Sequence, residues 1–355
     1  NAAMVDYETI PILPFELSKS VDNLDSLKKI LTFEYDSFKM GDIVKRVMYR
    51  YFQSLEIPNN FEAIEVAKEF LKTVLTNYFH AKETIIKYQP DIMMFSHGIY
   101  CSWEIVSRLC ERYEIDYVCY DRAKTLSAMN FNWNQEAPNW SFNNAWIKYK
   151  EKILDEHQNQ KVNQYLKERE LQLNDVYSYN FKPKEKDLLA LKNQLKVPLN
   201  TKVITFFTNL IWDAANEGRE EIFNSFVEAI ISTVEHFDNR DDIKFLVRPH
   251  PAEKVLGTNQ KYSDLLACID SKISIIEESL NVNSFSVLDI TDVAVTHTST
   301  IGLEMAMTGK PSIILGKTHF KGNGFTIDPS SKVDYFSALE RALGHGSPNE
   351  DQKIS

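Results

Sequence analysis

DITDVAVTHTSTIGLEMAMTGKPSIILG, residues 289–316, is the stretch on which the reading of this chain turns. Val293, Ala294 and Val295 form a short apolar run, closed by the polar turn Thr296-His297-Thr298-Ser299-Thr300. Ile301, Leu303, Met305, Ala306 and Met307 then follow at the spacing of an amphipathic helix. Gly309 and Pro311 stop that helix, and Ser312 to Leu315 restarts a strand. The result is a strand–helix–strand unit with three hydroxyls at the helix start. Unpaired N–H groups, side-chain hydroxyls and the helix dipole all favour an anion such as phosphate at that place.

The same rhythm extends upstream. Val203 to Phe207 reads as a strand, followed by the turn Thr208-Asn209-Leu210-Ile211-Trp212-Asp213. Glu221 to His236 is a helix, and Ile243 to Val247 a strand that ends in Arg248-Pro249-His250-Pro251. Ser274 to Ile276 is a further strand, and Ser284 to Leu288 begins a short helix. Strands alternating with helices predict an α/β fold with a parallel sheet and right-handed crossovers. In the first half, Phe61 to Tyr88 holds apolar residues at helical spacing, as one long helix or two abutting ones, and Pro90 ends it. Residues 90–120 form a second strand–helix–strand unit, with the polar turn Ser96-His97-Gly98 after its first strand. Ile10-Pro11-Ile12-Leu13-Pro14 fits only an edge strand or an extended entry, because proline removes a ladder donor. Residues 121–145 show no period and are read as a long loop; 145–196 are charged and mostly helical. A domain boundary is placed near 180–200, giving domains 1–190 and 191–345.

Bulk properties narrow the function. A chain of 355 residues suits two domains of roughly 150–200 residues each. The net charge of −10 argues against non-specific nucleic-acid binding, while leaving room for a local basic pocket. No apolar run approaches the roughly 20 residues that cross a bilayer. The opening Asn1-Ala2-Ala3 is expected to be an altered start, so that the natural N-terminus is missing. Cys101, Cys110, Cys119 and Cys268 make no CxxC pair and are read as reduced thiols, with no metal site.

In an open parallel sheet, ligands bind beyond the carboxyl ends of the strands. Three loops lie on that edge and bring Thr208, Asn209, Trp212 and Asp213; Arg248 and His250; and His297, Thr298, Ser299 and Thr300. A guanidinium, an imidazole, hydroxyls and a helix N-terminus converging there fit a phosphodiester or pyrophosphate. Glu304, one helical turn past Thr300, would repel phosphate but accept hydrogen bonds from a ribose diol, which points to a nucleotide. Each residue also has a plainer reading. Arg248 could be a surface residue, His250 a turn histidine held by its prolines, Thr298 and Ser299 helix caps, and Glu304 a solvated carboxylate.

These residues resemble the capsule polysaccharide biosynthesis family. The resemblance is carried by Arg248-Pro249-His250-Pro251, Thr298-Ser299-Thr300-Ile301-Gly302-Leu303-Glu304 and Gly309-Lys310-Pro311. The segments Gly316 to Thr326 (GKTHFKGNGFT), Phe206 to Asp213 (FFTNLIWD) and Ser96 to Tyr100 (SHGIY) are also similar to it. The match covers about 200–340, with an echo at 90–120. It implies a GT-B-like glycosyltransferase: two Rossmann-like domains facing a cleft, parallel sheets flanked by helices, and the donor nucleotide held by the C-terminal domain. Related transferases using CMP-linked acidic sugars carry an HP motif and a later Ser/Thr pair, here His250-Pro251 and Ser299-Thr300. They also carry an acidic-acidic-glycine tripeptide, which this chain lacks.

The resemblance implies a metal-independent transfer of sugar from a nucleotide-sugar donor to a growing capsule-type polysaccharide or glycolipid. Arg248, His250, Thr298, Ser299 and Thr300 would hold the donor phosphates and Glu304 the ribose. Thr208, Asn209, Asp213, His319 and Lys321 would line the donor side, with Gly322 and Gly324 letting the last loop move. His97, at the carboxyl end of an N-domain strand, is the expected general base, or else a turn histidine bonded to backbone; Asp121, Glu136 and Asp213 are weaker alternatives. Trp133 and Trp140 would stack on acceptor sugars or pack between domains. No cofactor is expected, the nucleotide sugar being the substrate. The expected location is cytoplasmic, with peripheral contact at the inner membrane face. Two other readings stand beside this one: a non-hydrolysing nucleotide-sugar epimerase, and a non-catalytic nucleotide-sugar-binding assembly protein.

Overall fold

The structure, a computed structural model, describes residues 13–123, 128–139, 141, 143–171, 183–277, 280 and 282–344. Ile10-Pro11-Ile12 and Trp140 lie outside the described residues. Two compact units emerge. The N-terminal unit holds the described residues up to Ala123, those of 127–140, and Trp212–Ala215; the C-terminal unit holds those of Ser141–Ile211 and from Asn216 onward.

In the N-terminal unit, Phe61–Tyr88 is one unbroken helix of 28 residues. Its buried stripe of Ala63, Ala67, Leu71, Val74, Tyr78, Ala81 and Ile85 recurs every three or four residues. The Asn60 side chain caps it by accepting the Ala63 amide at 2.9 Å. A short hairpin, β1 (Glu34–Tyr35) and β2 (Phe38–Lys39), and the helix Met40–Phe52 pack near it. Then β3 (Ile92–Ser96), the helix Tyr100–Arg112 and β4 (Asp116–Arg122) form the expected parallel pair. The stretch 121–145, read as a loop, instead contains a third strand, β5 (Met129–Trp133), antiparallel to β4. Its alternation is inverted: Met129, Phe131 and Trp133 face outward while Asn132 is buried, so no apolar-in pattern marks it.

The C-terminal unit is a five-stranded, wholly parallel sheet: β6 (Lys202–Phe207), β7 (Ile243–Arg248), β8 (Ile273–Ile275), β9 (Val293–Thr296) and β10 (Ser312–Ile314), in the order β10-β9-β6-β7-β8. Both faces are covered, which is why the strands read as continuous apolar runs. Ile204, Phe206, Phe245, Val247, Val293 and Val295 pack with residues of the helices Phe226–His236 and Lys332–Gly344. Val203, Phe207, Leu246 and Ala294 pack with those of Leu188–Gln194, Ser284–Ile290 and Ile301–Met307. The one buried hydroxyl of β6, on Thr205, meets Thr291 at 2.7 Å, and Thr291 donates onward to the Val287 carbonyl at 2.7 Å.

The boundary expected near 190 does not coincide with this division, because the charged stretch after 141 belongs with the C-terminal unit. The helix Glu156–Leu171 sends Arg169 to Glu304, and the Glu185 amide donates to Ser286. The charged, helical pattern of this region gave no sign of which unit it joins; its few specific contacts attach it to the sheet.

Lys310 of the Gly-Lys-Pro break is a structural lysine. Its ammonium donates to the carbonyls of Leu288, Asp289 and Thr291 at 2.8, 2.8 and 3.0 Å, closing the end of the helix Ser284–Ile290. Burial pulls its pKa down. Lys310→Met is expected to destabilise the protein by roughly 2–4 kcal/mol, because three carbonyls lose a charged donor. Urea unfolding should show a lower midpoint with an unchanged slope.

Candidate active site

The chain runs β6, β7, β8 to one side of the sheet and returns to β9, β10 on the other, so strand order reverses between β6 and β9. Phe207 is in register with both Thr296 and Arg248, so three strands end level and their loops begin together. This is the switch point at which such sheets hold ligands.

The loops after β6 and β9 are tied to each other. Asn209 Oδ1 accepts the Thr298 amide at 3.4 Å, and the Thr298 hydroxyl donates to Asn216 Oδ1 at 2.6 Å. With its carboxamide oxygen turned to Thr298, Asn209 presents its Nδ2 donors away from that bond. Ser299 is half-buried, and its hydroxyl makes no hydrogen bond among the described residues. The helix Ile301–Met307 begins directly after, its first amides directed toward the turn. A Cβ on Gly302 would stand 2.7 Å from Ile314 Cδ1 and 2.9 Å from Thr296 Oγ1, so glycine lets this helix lie close on β9 and β10.

From β7, His250 brings a half-buried imidazole whose Nδ1 accepts the Ala252 amide at 3.1 Å. That bond places the neutral ring's proton on Nε2, making it a hydrogen-bond donor. Ser299 and Asn209 thus carry donors that these loops could offer an anion, and His250 adds an imidazole on the third loop.

Other expected site residues have different work. Arg248 is 6 % exposed and donates to the Val282 carbonyl at 2.7 Å and to Ser284 Oγ at 3.4 Å. It braces the segment before the helix Ser284–Ile290, which corrects the expectation of a phosphate fork. Glu304 is 1 % exposed and accepts Arg169 Nε at 2.7 Å, so it belongs to a buried ion pair and not to a ribose contact. Thr208 is buried, and its hydroxyl makes no hydrogen bond among the described residues. Thr300 begins the helix through its carbonyl, which accepts the Leu303 and Glu304 amides. Lys321 is ion-paired with Glu221, and His319 packs edge-on against Phe320. His297 is buried against Gly316, where any Cβ would fall 2.6 Å from its ring.

In the N-terminal unit, His97 sits in the turn after β3 at φ 22°, followed by Gly98 at φ 73°. Its Nδ1 accepts the Ile99 amide at 3.3 Å. Burial lowers its pKa, opposed by the charge of Asp121 and reinforced by that of Arg50. Tyr100 lies edge-on to the ring at 5.8 Å, with Arg50 5.1 Å over the Tyr100 ring. The Tyr100 hydroxyl, pushed up to about 12 mainly by burial, donates to Asp213 at 3.2 Å, and Asp213 also accepts the Ala215 amide at 3.0 Å. Asp213 therefore falls with the N-terminal unit. Sequence reasoning named neither Arg50, Asn216 nor Arg169. The first and last sit in ordinary charged helices with no local signal. No group of three His, Cys, Asp or Glu among the described residues is arranged to hold a metal.

A family model for capsule polysaccharide biosynthesis proteins matches residues 121–341, more than half of the chain. No curated protein matches. Among solved structures, the chain is similar to the beta Kdo 2,7 transferase KpsC of Thermosulfurimonas dismutans: 13 % identity, 87 % of this chain and 84 % of that one, TM-score 0.45. It is also similar to the UDP-GlcNAc 2-epimerase of Methanocaldococcus jannaschii, at 17 % identity over 85 % and 81 %, TM-score 0.35. Neither likeness bears on what this chain binds.

Two outcomes are expected. Arg169→Met should cost about 3–5 kcal/mol by leaving Glu304 buried and unneutralised, and the Arg169→Met/Glu304→Met pair should recover much of that loss in urea unfolding. For His297, burial is the main cause of a pKa below 6.5. Just below pH 6.5 the unfolded chain binds a proton that the folded chain does not, so stability should fall as pH drops. His297→Asn should flatten that slope.

Proposed function

The chain belongs to the capsule polysaccharide biosynthesis protein family, and on that premise we propose that it is a glycosyltransferase. It moves a sugar from a nucleotide-sugar donor to a growing capsule-type polysaccharide or glycolipid, without a metal ion. The observation that carries the donor site is the switch point, where the β6 and β9 loops are joined through Asn209 and Thr298 and β7, ending level with them at Arg248, leads into the loop that carries His250.

Sugar transfer separates a nucleotide phosphate whose oxygens gain negative charge as the glycosidic bond breaks. Pre-placed donors stabilise that charge, and do so most where water is excluded. Here the donors are Asn209 Nδ2 and the Ser299 hydroxyl, with the His250 imidazole carried on the loop after β7; the Gly302, Leu303 and Glu304 amides are already bonded to the Ser299 and Thr300 carbonyls. Thr298 works by position, since its hydroxyl proton is committed to Asn216.

We assign the general base to His97. Its lowered pKa keeps the ring neutral at pH 7, as a base requires, and Asp121 favours the imidazolium once formed. Nδ1 must first release the Ile99 amide, and at 3.3 Å that bond is long and weak. The reaction is placed in the cytoplasm, with peripheral contact at the inner membrane face for a glycolipid acceptor. Among the described residues no helix is long and apolar enough to cross a membrane.

The test is a transfer assay over a panel of CMP-, UDP-, GDP- and CDP-sugars, with calorimetry for donor binding. His250→Ala and Ser299→Ala should each weaken the cognate donor on the order of tenfold, the loss of a charge-assisted or buried hydrogen bond. His97→Ala should lower kcat by about 10²–10⁴ with donor affinity unchanged. In the wild type, kcat/KM should hold above pH 6.5 and decline below it, as the His97 ring takes up its proton. Donor affinity untouched by either donor-loop substitution would remove the site from this edge of the sheet.

A further inference from the structure

At the opposite, amino edge of the C-terminal sheet lies a cavity of about 280 Å³. It opens around the starts of β6 and β7, over the apolar side chains of Val234, Phe237, Ile243 and Phe245. Its rim is charged, and the charges do not cancel evenly. Arg240 is held by Asp242, at 2.6 and 2.8 Å, and by Glu340 at 3.5 Å. Lys272 is paired with Asp238. Lys196 and Lys244 remain. Neither ammonium has a carboxylate or any other hydrogen-bond acceptor among the described residues, and each feels the other's positive charge. Asp241 is the one further acid in the lining, and it is exposed.

Lys244 is half-buried on a strand, so its ammonium has lost part of its water without gaining a partner. Lys196 ends the helix Leu188–Gln194 at φ 55°, where its amide donates to the Asn193 carbonyl and the Val197 amide to that of Lys192. That conformation usually falls to glycine. Two like charges lining one cavity are unfavourable until an anion lies between them, and dehydration of Lys244 strengthens the attraction for that anion.

We propose that this cavity binds a phosphate-type oxyanion between Lys196 and Lys244, as free phosphate or as the phosphate group of a small sugar phosphate. The volume falls just under the roughly 300–1,000 Å³ of sites for drug-sized ligands, which suits a small ligand. Thr201 lines the same cavity; its hydroxyl now donates to the Pro198 carbonyl at 2.9 Å and can turn to the ligand. The site is separate from the donor loops and does not depend on how they work.

Calorimetric titration of the full chain with inorganic phosphate and with a hexose 1-phosphate, at matched ionic strength against chloride, tests it. At least one probe should bind the wild type and the His250→Ala variant alike. Lys196→Gln/Lys244→Gln should weaken binding by at least about tenfold, two charge-assisted contacts being lost. Tighter binding of the hexose phosphate would assign the site to a sugar phosphate, and equal binding to phosphate itself. At low salt the unliganded double variant should melt higher than the wild type, because the repulsion is gone; this also shows that it folds. Absence of binding by both probes at millimolar concentration, or binding that survives the double substitution, overturns the proposal.

Discussion

The C-terminal unit depends on the placement of β6 at the centre of its sheet, hydrogen-bonded on both edges and covered on both faces. Ile204 and Phe206 pack to one side, and Val203 and Phe207 to the other. Because β7 and β9 flank it in parallel, the chain must leave β6 in one direction and come back in the other. That reversal opens the loops at its carboxyl end, and the level register of Phe207 with Thr296 and Arg248 puts their first residues side by side. The edge to which the donor site is assigned is therefore a consequence of burial and strand order before any polar residue is considered.

Much of this was legible. The apolar runs at 203–207, 243–247 and 293–295 became β6, β7 and β9 with ends shifted by a residue, because a doubly covered strand must be apolar throughout. Gly309 and Pro311 closed the short helix as read. The family resemblance, drawn from those loops and the Gly-Lys-Pro break, agrees with the family model over 121–341. What misled were residues whose pattern runs against their role. β5 turns its aromatic side chains outward, and Glu156–Leu171 has the composition of a solvated helix although Arg169 reaches a buried carboxylate.

Within the site, residue type was legible and direction was not. Arg248 and Glu304 were read as ligand residues because a guanidinium and a carboxylate at strand and helix ends suit a nucleotide. Both are nearly buried and spend their charge on protein partners. Lys310, quoted only as part of a motif, holds three helix-end carbonyls. A loop at a sheet edge needs groups that build it as well as groups that bind, and both are drawn from the same polar residues. Sequence spacing gives the edge; only the hydrogen-bond partners separate Thr298, committed to Asn216, from Ser299 beside it.

The central claim is that the loops after β6, β7 and β9 hold the donor nucleotide. Hydrogen–deuterium exchange on the full chain, with and without a saturating donor nucleotide, tests it most directly, since amides that gain a partner exchange more slowly. The account predicts new protection in peptides covering 208–211, 249–252 and 297–303, with little change at the amino ends of β6 and β7. Protection that leaves those three segments unchanged while the nucleotide is bound would contradict it.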